Sequence, residues 1–266
     1  MPEPASIQIR PRARAFAVGQ GSVGVLVIHG LGGTPDDYRE YAAQLVATLP
    51  VKVSVMRIAG HGAEPSDLHR TPFEDWRRSV RSAYDELVAT TSRQVVIGVS
   101  YGAMLALDLA LERPKIAGVI TINAAWTYRA GGPFQTIGLK FLRLFTPYFA
   151  KPGLSAADRA RYKETGSLPK WPINAILNSR QFADQRVIPR LSELRLPMLI
   201  LASQDDSYVD ANAMPSSIRS ITPPVTLDTI PVRIHRPFRD PTATAWITER
   251  TTTFIREHCL PASDVV

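Results

Sequence analysis

A serine, a pair of aspartates and a histidine are the residues whose types and spacing suggest chemistry. Ser100 sits in Gly98-Val99-Ser100-Tyr101-Gly102, directly after the apolar run Gln94-Val95-Val96-Ile97 and directly before a helical pattern. Asp205 and Asp206 follow the run Leu196–Ala202, and His235 follows Val225–Ile230. A hydroxyl becomes a nucleophile when a base takes its proton, and the base works when an acid orients it and stabilises its charged form. A serine, an acid and a histidine each stand just past a strand-like run, and either aspartate could serve.

The serine's setting has its own logic. A strand that turns at once into a helix forces the apex residue into a strained backbone and leaves no room for a Cβ at the flanking glycines. The hydroxyl is lifted above the sheet edge, and the N–H of Tyr101 points from the helix start into the same space. The plainer reading is a glycine-rich turn with a bystander serine.

Positioning these groups requires a scaffold, and the chain predicts one. Val23-Gly24-Val25-Leu26-Val27-Ile28 and Ile116–Ile122 are nearly unbroken apolar runs, the pattern of strands covered on both faces. Val51–Val55 is a further strand, and Ile7–Ile9 and Ala15–Val18 read as short edge strands. Helical patterns run over 38–48, from about 72 to 90, near 211–220 and over 242–258; Thr71-Pro72-Phe73-Glu74 has the form of a capping box. Strands alternating with helices predict a parallel sheet with helices on both faces, and ligands bind at the carboxyl ends of such strands.

The alternation stops between Asn123 and about Gln185. Roughly 60 residues without a strand are too many for a plain loop, so the expected layout is core over 1–122, a small cap over 123–185, and core again over 186–266. Phe134, Phe141, Phe145, Tyr148, Phe149 and Trp171 make the insertion aromatic. Phe141 and Phe145, at i and i+4, are expected to line an apolar substrate pocket, as is Trp126.

Composition narrows the class. The 266 residues are 45% hydrophobic, enough for one large core, and no apolar run approaches ~18 residues. The N-terminal Arg10, Arg12 and Arg14 accompany no apolar segment of secretory type, which makes a cytoplasmic protein the expectation. The net charge of +7 reads most simply as a solvated basic surface; it also suits weak peripheral contact with an anionic membrane, and no nucleic-acid motif accompanies it. The single cysteine, Cys259, excludes an internal disulfide. No His/Cys cluster has metal-ligand spacing.

From about Gly24 to Glu257, in one order, the chain resembles the α/β-hydrolases, and among them bacterial monoacylglycerol lipases and carboxylesterases. The resemblance is carried by His29-Gly30-Leu31-Gly32-Gly33, Gly60-His61-Gly62, Glu74-Asp75-Trp76, the Ser100 turn, Ser203-Gln204-Asp205-Asp206-Ser207-Tyr208-Val209, and Ile234-His235. It implies the α/β-hydrolase fold with a helical cap, Ser100 as nucleophile and His235 as general base. It selects Asp206 as the acid, because the family's aspartate stands three residues after a small residue and three before a valine. It also implies that Leu31 and Tyr101 donate the oxyanion hydrogen bonds, that no metal or cofactor is used, and that the partner is a small-molecule ester. His29 and His61 are then structural, His69 lies on the surface, and His258 complements a helix C-terminus. Tyr101 stands where methionine is commoner, and Arg233-Ile234 where small or aromatic residues are usual. The expected substrates are therefore short- to medium-chain acyl esters, monoacylglycerols among them. The alternatives are an acyl thioesterase and a non-catalytic small-molecule receptor on the same fold.

Overall fold

The computed structural model describes residues 7–126, 133–151, 154–206, 208–210, 214–216, 218, 221 and 225–260, with side chains described from 136 in the first insertion helix. The strands are β1 Phe16–Val18, β2 Val23–Ile28, β3 Val51–Val55, β4 Arg93–Val99, β5 Gly118–Ile122, β6 Tyr148–Ala150, β7 Lys170–Pro172, β8 Met198–Ser203 and β9 Val225–Ile230. The helices are α1 Arg39–Thr48, α2 Pro65–Arg70, α3 Phe73–Val88, α4 Tyr101–Glu112, α5 Pro133–Leu142, α6 Ala156–Thr165, α7 Ile173–Phe182 and α8 Pro241–His258.

Seven strands form one sheet in the order β1-β3-β2-β4-β5-β8-β9. Only β1 runs antiparallel to its neighbour. The unbroken apolar runs of β2 and β5 are wholly buried, because their alternate residues enter different cores. Val23, Val25 and Val27 join Val95, Ile97 and Ile120 beneath α1 and α8, with Tyr41, Leu45, Ile247 and Ile255. Leu26 and Ile28 join Val96 and Val119 beneath α3 and α4, with Trp76, Val80, Tyr84 and Leu105. In α3 the buried residues Trp76, Val80, Tyr84 and Leu87 form one stripe, each side chain contributing roughly 1.5–3 kcal/mol by burial.

Three local expectations differ from the structure, and a fourth is not tested by it. Residues Ile7–Ile9 form no strand. Thr71 does not cap α3. A short helix, α2, precedes it, and the Thr71 hydroxyl donates to the Asp67 carbonyl of that helix at 2.7 Å; Glu74 pairs instead with Arg77 and Arg81. The segment between β5 and β8 holds α5, α6 and α7 but also two short antiparallel strands, with Phe149 opposite Trp171. The helix expected near 211–220 falls largely outside the described residues.

The sheet order places the site. From β2 the chain moves to β3 on one side and returns to β4 on the other, so the strand order reverses between β2 and β4. A crevice opens at the carboxyl ends there. The loop after β2 carries Gly30 and Leu31, and the turn after β4 carries Ser100.

Candidate active site

Ser100 has φ 54° and ψ −119°. This left-handed conformation is costly for a residue with a Cβ. Packing enforces it: a Cβ on Gly102 would lie 2.3 Å from the Ile28 carbonyl oxygen, and one on Gly98 would lie 2.5 Å from the Ala103 Cα. Strand and helix can approach this closely only with glycine on both sides. The Ser100 N–H donates to the Ile122 carbonyl at 2.8 Å, which ties the turn to the end of β5.

Three elements bring the polar groups together. Ser100 Oγ lies 3.0 Å from His235 Nε2, and His235 Nδ1 lies 2.7 Å from Asp206 Oδ2. With Nδ1 protonated towards the carboxylate, Nε2 is left to accept the serine hydroxyl. Asp206 is fully buried, and its other oxygen accepts the N–H groups of Tyr208 at 2.7 Å and Val209 at 3.0 Å. These bonds suit the ionised carboxylate. Asp205 points outward and pairs with Arg233 at 3.3 Å. The Tyr208 ring packs on the His235 ring, with centroids 5.0 Å apart.

Asn123, at the end of β5, is a site residue that sequence reasoning passed over. It is buried, with φ 45°. Its Nδ2 donates to Ser203 Oγ at 3.1 Å and to the carbonyls of His235 at 3.2 Å and Ile234 at 3.3 Å, while its Oδ1 accepts the Ser203 N–H at 2.7 Å. One side chain thus ties β5, β8 and the histidine loop together. A lone asparagine at a strand end carries no motif that would have singled it out.

His29 is buried, and both ring nitrogens are engaged. Nδ1 donates to the Gly30 carbonyl at 2.9 Å, and Nε2 accepts the Ile58 N–H at 3.1 Å. Burial holds its pKa down at about 4, so it stays neutral and braces the loop after β2. His61 packs edge-on against it, with centroids 5.0 Å apart. His69 is half-buried rather than a simple surface residue, and its ring bonds the Asn174 side chain at 3.1 Å, linking α2 to α7.

A cavity of about 260 Å³ opens over Ser100 and His235. Leu31 lines it, and its carbonyl accepts the indole N–H of Trp171 at 3.1 Å. Tyr101 is the first residue of α4, so its N–H belongs to the helix's N-terminal turn at the same opening; its ring is buried with Phe73, Trp76 and Phe182. The apolar wall is Val99, Leu139, Phe149, Trp171, Ile176 and Leu177.

Three residues expected to line this cavity lie elsewhere. Phe141 is 64% exposed and Phe145 73%, and they stack on each other with centroids 5.3 Å apart. Helix α5 turns Leu139 inward, and a residue two positions on lies about 200° round the helix, facing away. Trp126 is buried among core residues beside Ala125, Ser179 and Ala183, in a separate crevice. Phe134 has no described side chain. Among the described residues no group of three or more His, Cys, Asp or Glu gathers as metal ligands, and no helix is long and apolar enough to cross a membrane.

A sheet of this order with a strained serine after β4, an acid after β8 and a histidine after β9 defines a class, and the comparisons agree with it. The chain belongs to the alpha/beta hydrolase family, whose model matches residues 25–254. It is 40% identical over 197 residues, 74% of this chain and 76% of the relative, to a thermostable monoacylglycerol lipase of Bacillus sp. (strain H-257). Among solved structures, it superposes with a TM-score of 0.80 on one from work on LipS and LipT, two metagenome-derived lipolytic enzymes; identity is 24%, covering 94% of this chain and 100% of that one. The monoacylglycerol lipase of Paleococcus ferrophilus aligns with a TM-score of 0.73 at 17% identity, covering 91% and 97%. At these identities the two structures speak for the fold.

Proposed function

We propose that the protein is a serine hydrolase that cleaves carboxylic esters through an acyl-enzyme intermediate, with monoacylglycerols among its substrates. The observation that carries this reading is the hydrogen-bonded line Ser100–His235–Asp206, whose serine end opens into the cavity. The 40% identity to a monoacylglycerol lipase supports the choice of ester.

In this reading His235 takes the Ser100 proton as Oγ attacks the ester carbonyl, and the ionised Asp206 stabilises the imidazolium. The developing oxyanion is held by the N–H groups of Leu31 and Tyr101. His235 then protonates the departing alcohol, and a water activated by the same ring releases the acid. The elements between β5 and β8 act as a cap over the nucleophile, with Leu139, Phe149, Ile176 and Leu177 against the acyl chain. Ile137, Phe141, Leu144 and Phe145 stay exposed beside Lys140 and Arg143, which suits peripheral contact with an anionic lipid surface.

The test is labelling by a fluorophosphonate together with hydrolysis of 4-nitrophenyl hexanoate. The wild-type chain should be labelled once. Ser100→Ala should escape labelling and lose on the order of 10⁴ or more in turnover while folding normally. More than a tenth of the activity surviving in that variant would remove Ser100 from the role.

A further inference from the structure

Part of the cavity's lining gathers cations around one ring. Tyr162, on α6, is buried. Lys151 Nζ lies 4.9 Å from its centroid, Arg236 Cζ 5.4 Å and Arg239 Cζ 5.3 Å. Lys151 also sits over Trp171 at 4.6 Å, and Arg236 donates to the Tyr162 hydroxyl oxygen at 2.9 Å. All four residues line the cavity that holds Ser100 and His235.

The negative charge there is too little to balance them. Asp37 is the one carboxylate in the lining; it is 3.9 Å from Arg236 and 3.6 Å from Arg161. Arg239 spends one nitrogen on Asp158 at 3.1 Å, and its Nε and Nη2 are buried without an acceptor. Lys151 is only 7% exposed, and among the described residues no carboxylate or hydrogen-bond acceptor meets its ammonium. Burial, together with Arg236 and Arg239, holds the Lys151 pKa well below its usual value. A cluster that served only to pack α6 would be apolar or internally paired, since unpaired buried cations are destabilising. Aromatic faces offset part of that cost but supply no acceptor for the open N–H groups.

We propose that this cavity takes esters that carry a second, anionic group, a carboxylate or a phosphate, and that Lys151, Arg236 and Arg239 bind that group around Tyr162. The inference rests on the ester-hydrolase reading and names the substrate class within it. A hydroxyl could accept from these donors but would leave the charge uncompensated, whereas a carboxylate or phosphate satisfies both. The apolar wall takes the rest of the molecule, so the substrate has one greasy arm and one charged arm with the ester between them.

The experiment compares matched pairs on the full chain. Mono-4-nitrophenyl adipate against 4-nitrophenyl hexanoate puts the anion on the acyl side. 1-Octanoylglycerol 3-phosphate against 1-octanoylglycerol puts it on the alcohol side. In one arm kcat/KM for the anionic member should exceed that of its neutral partner by about tenfold or more, and that arm identifies the side. Lys151→Met and Arg239→Gln should each lower the anionic-to-neutral ratio at least about fivefold; the ratio is read on one protein, so a general loss of folded enzyme cancels. Calorimetric binding of hexyl phosphate and 1-hexanol to Ser100→Ala needs no turnover, and hexyl phosphate should bind about tenfold more tightly. Neutral members favoured in both arms, a ratio unmoved by both substitutions, or hexyl phosphate binding no more tightly than 1-hexanol would overturn the proposal. If no ester is hydrolysed and no fluorophosphonate label appears, yet hexyl phosphate binds through Lys151, the hydrolase reading fails and the anion site stands.

Discussion

Replacing Asn123 with alanine should damage both the fold and the proposed chemistry, by an amount the structure allows to be worked out. The side chain donates to the His235 carbonyl at 3.2 Å and accepts the Ser203 N–H at 2.7 Å, and alanine would remove both bonds. The Ile234 carbonyl keeps the Ser203 hydroxyl at 3.0 Å. Two buried backbone groups left unsatisfied cost roughly 1–3 kcal/mol each. Alanine at φ 45° adds about 1 kcal/mol, because asparagine tolerates the left-handed region better. The expected loss is about 5 kcal/mol in the middle of that range. Over 266 residues the unfolding entropy is about 0.56 kcal/mol/K, so Tm should fall by about 9 °C. The histidine loop loses its anchor as well, so kcat should drop by more than the fraction of unfolded protein explains. Calorimetry and hydrolysis of 4-nitrophenyl hexanoate well below Tm read the two effects separately. A Tm within about 2 °C of wild type, with kcat unchanged, would show that Asn123 anchors nothing.

Other perturbations separate neighbouring residues. Asp206→Asn should lower kcat by on the order of 10⁴, while Asp205→Asn, at an exposed position beside Arg233, should stay within about twofold; steady-state kinetics with the reverse ranking would reassign the acid. Stability should fall on acidification in two steps. The His29 pKa drops on folding from 6.5 to about 4, so its contribution is complete above 6.5 and is lost as pH falls to 4, by about 3 kcal/mol. Glu112, held by Arg81, Arg77 and Arg186, drops from 4.5 to about 2, and its contribution is lost between those values. Burial pushes the His61 pKa well down too, so urea midpoints against pH should show the upper step shrink, not vanish, in His29→Gln; a midpoint flat from pH 7 to pH 4 would contradict the assignment. Finally, Leu177→Ala should flatten the rise of kcat/KM with acyl length, to which each buried CH₂ contributes up to about 0.8 kcal/mol, and Phe141→Ala should leave it unchanged. Equal flattening by both would put Phe141 in the pocket after all.

The parts of this structure that were legible in the sequence are those decided locally. An unbroken apolar run means a strand covered on both faces whichever helices cover it, so β2, β4 and β5 could be read directly. The turn at Ser100 is likewise written in its two glycines, because a Cβ at either would meet backbone within 2.5 Å. What could not be read depends on which of two locally acceptable partners wins. Thr71 can cap a following helix or bond back into a preceding one, and α2 takes it. The spacing of Phe141 and Phe145 says that they share a side of the chain but not that Leu139, rather than they, faces the cavity. Strands of three residues such as β6 and β7, one ending in proline, leave no period to detect. Lys151, Tyr162 and Arg239 come from β6's end, α6 and the loop before α8, and nothing in the chain announces that they meet.

Among the described residues, the non-glycine positions with positive φ collect at the carboxyl ends of the central strands β4 and β5. They are Ser100 and Asn123, and they are joined through the end of β5: the Ser100 N–H holds Ile122, the residue before Asn123. Asn123 in turn holds the carbonyl of His235. Strain at the serine and strain at the asparagine therefore belong to one arrangement that sets the distance from Ser100 to His235. Lys151, Arg236 and Arg239 line the same cavity as these groups, and Arg236 follows His235 directly in the chain. Neither the strain nor the charge would persist unless the two cores beneath over-determined the strand ends. The wholly buried β2 and β5, close-packed on both faces, provide that rigidity without carrying a reacting group themselves.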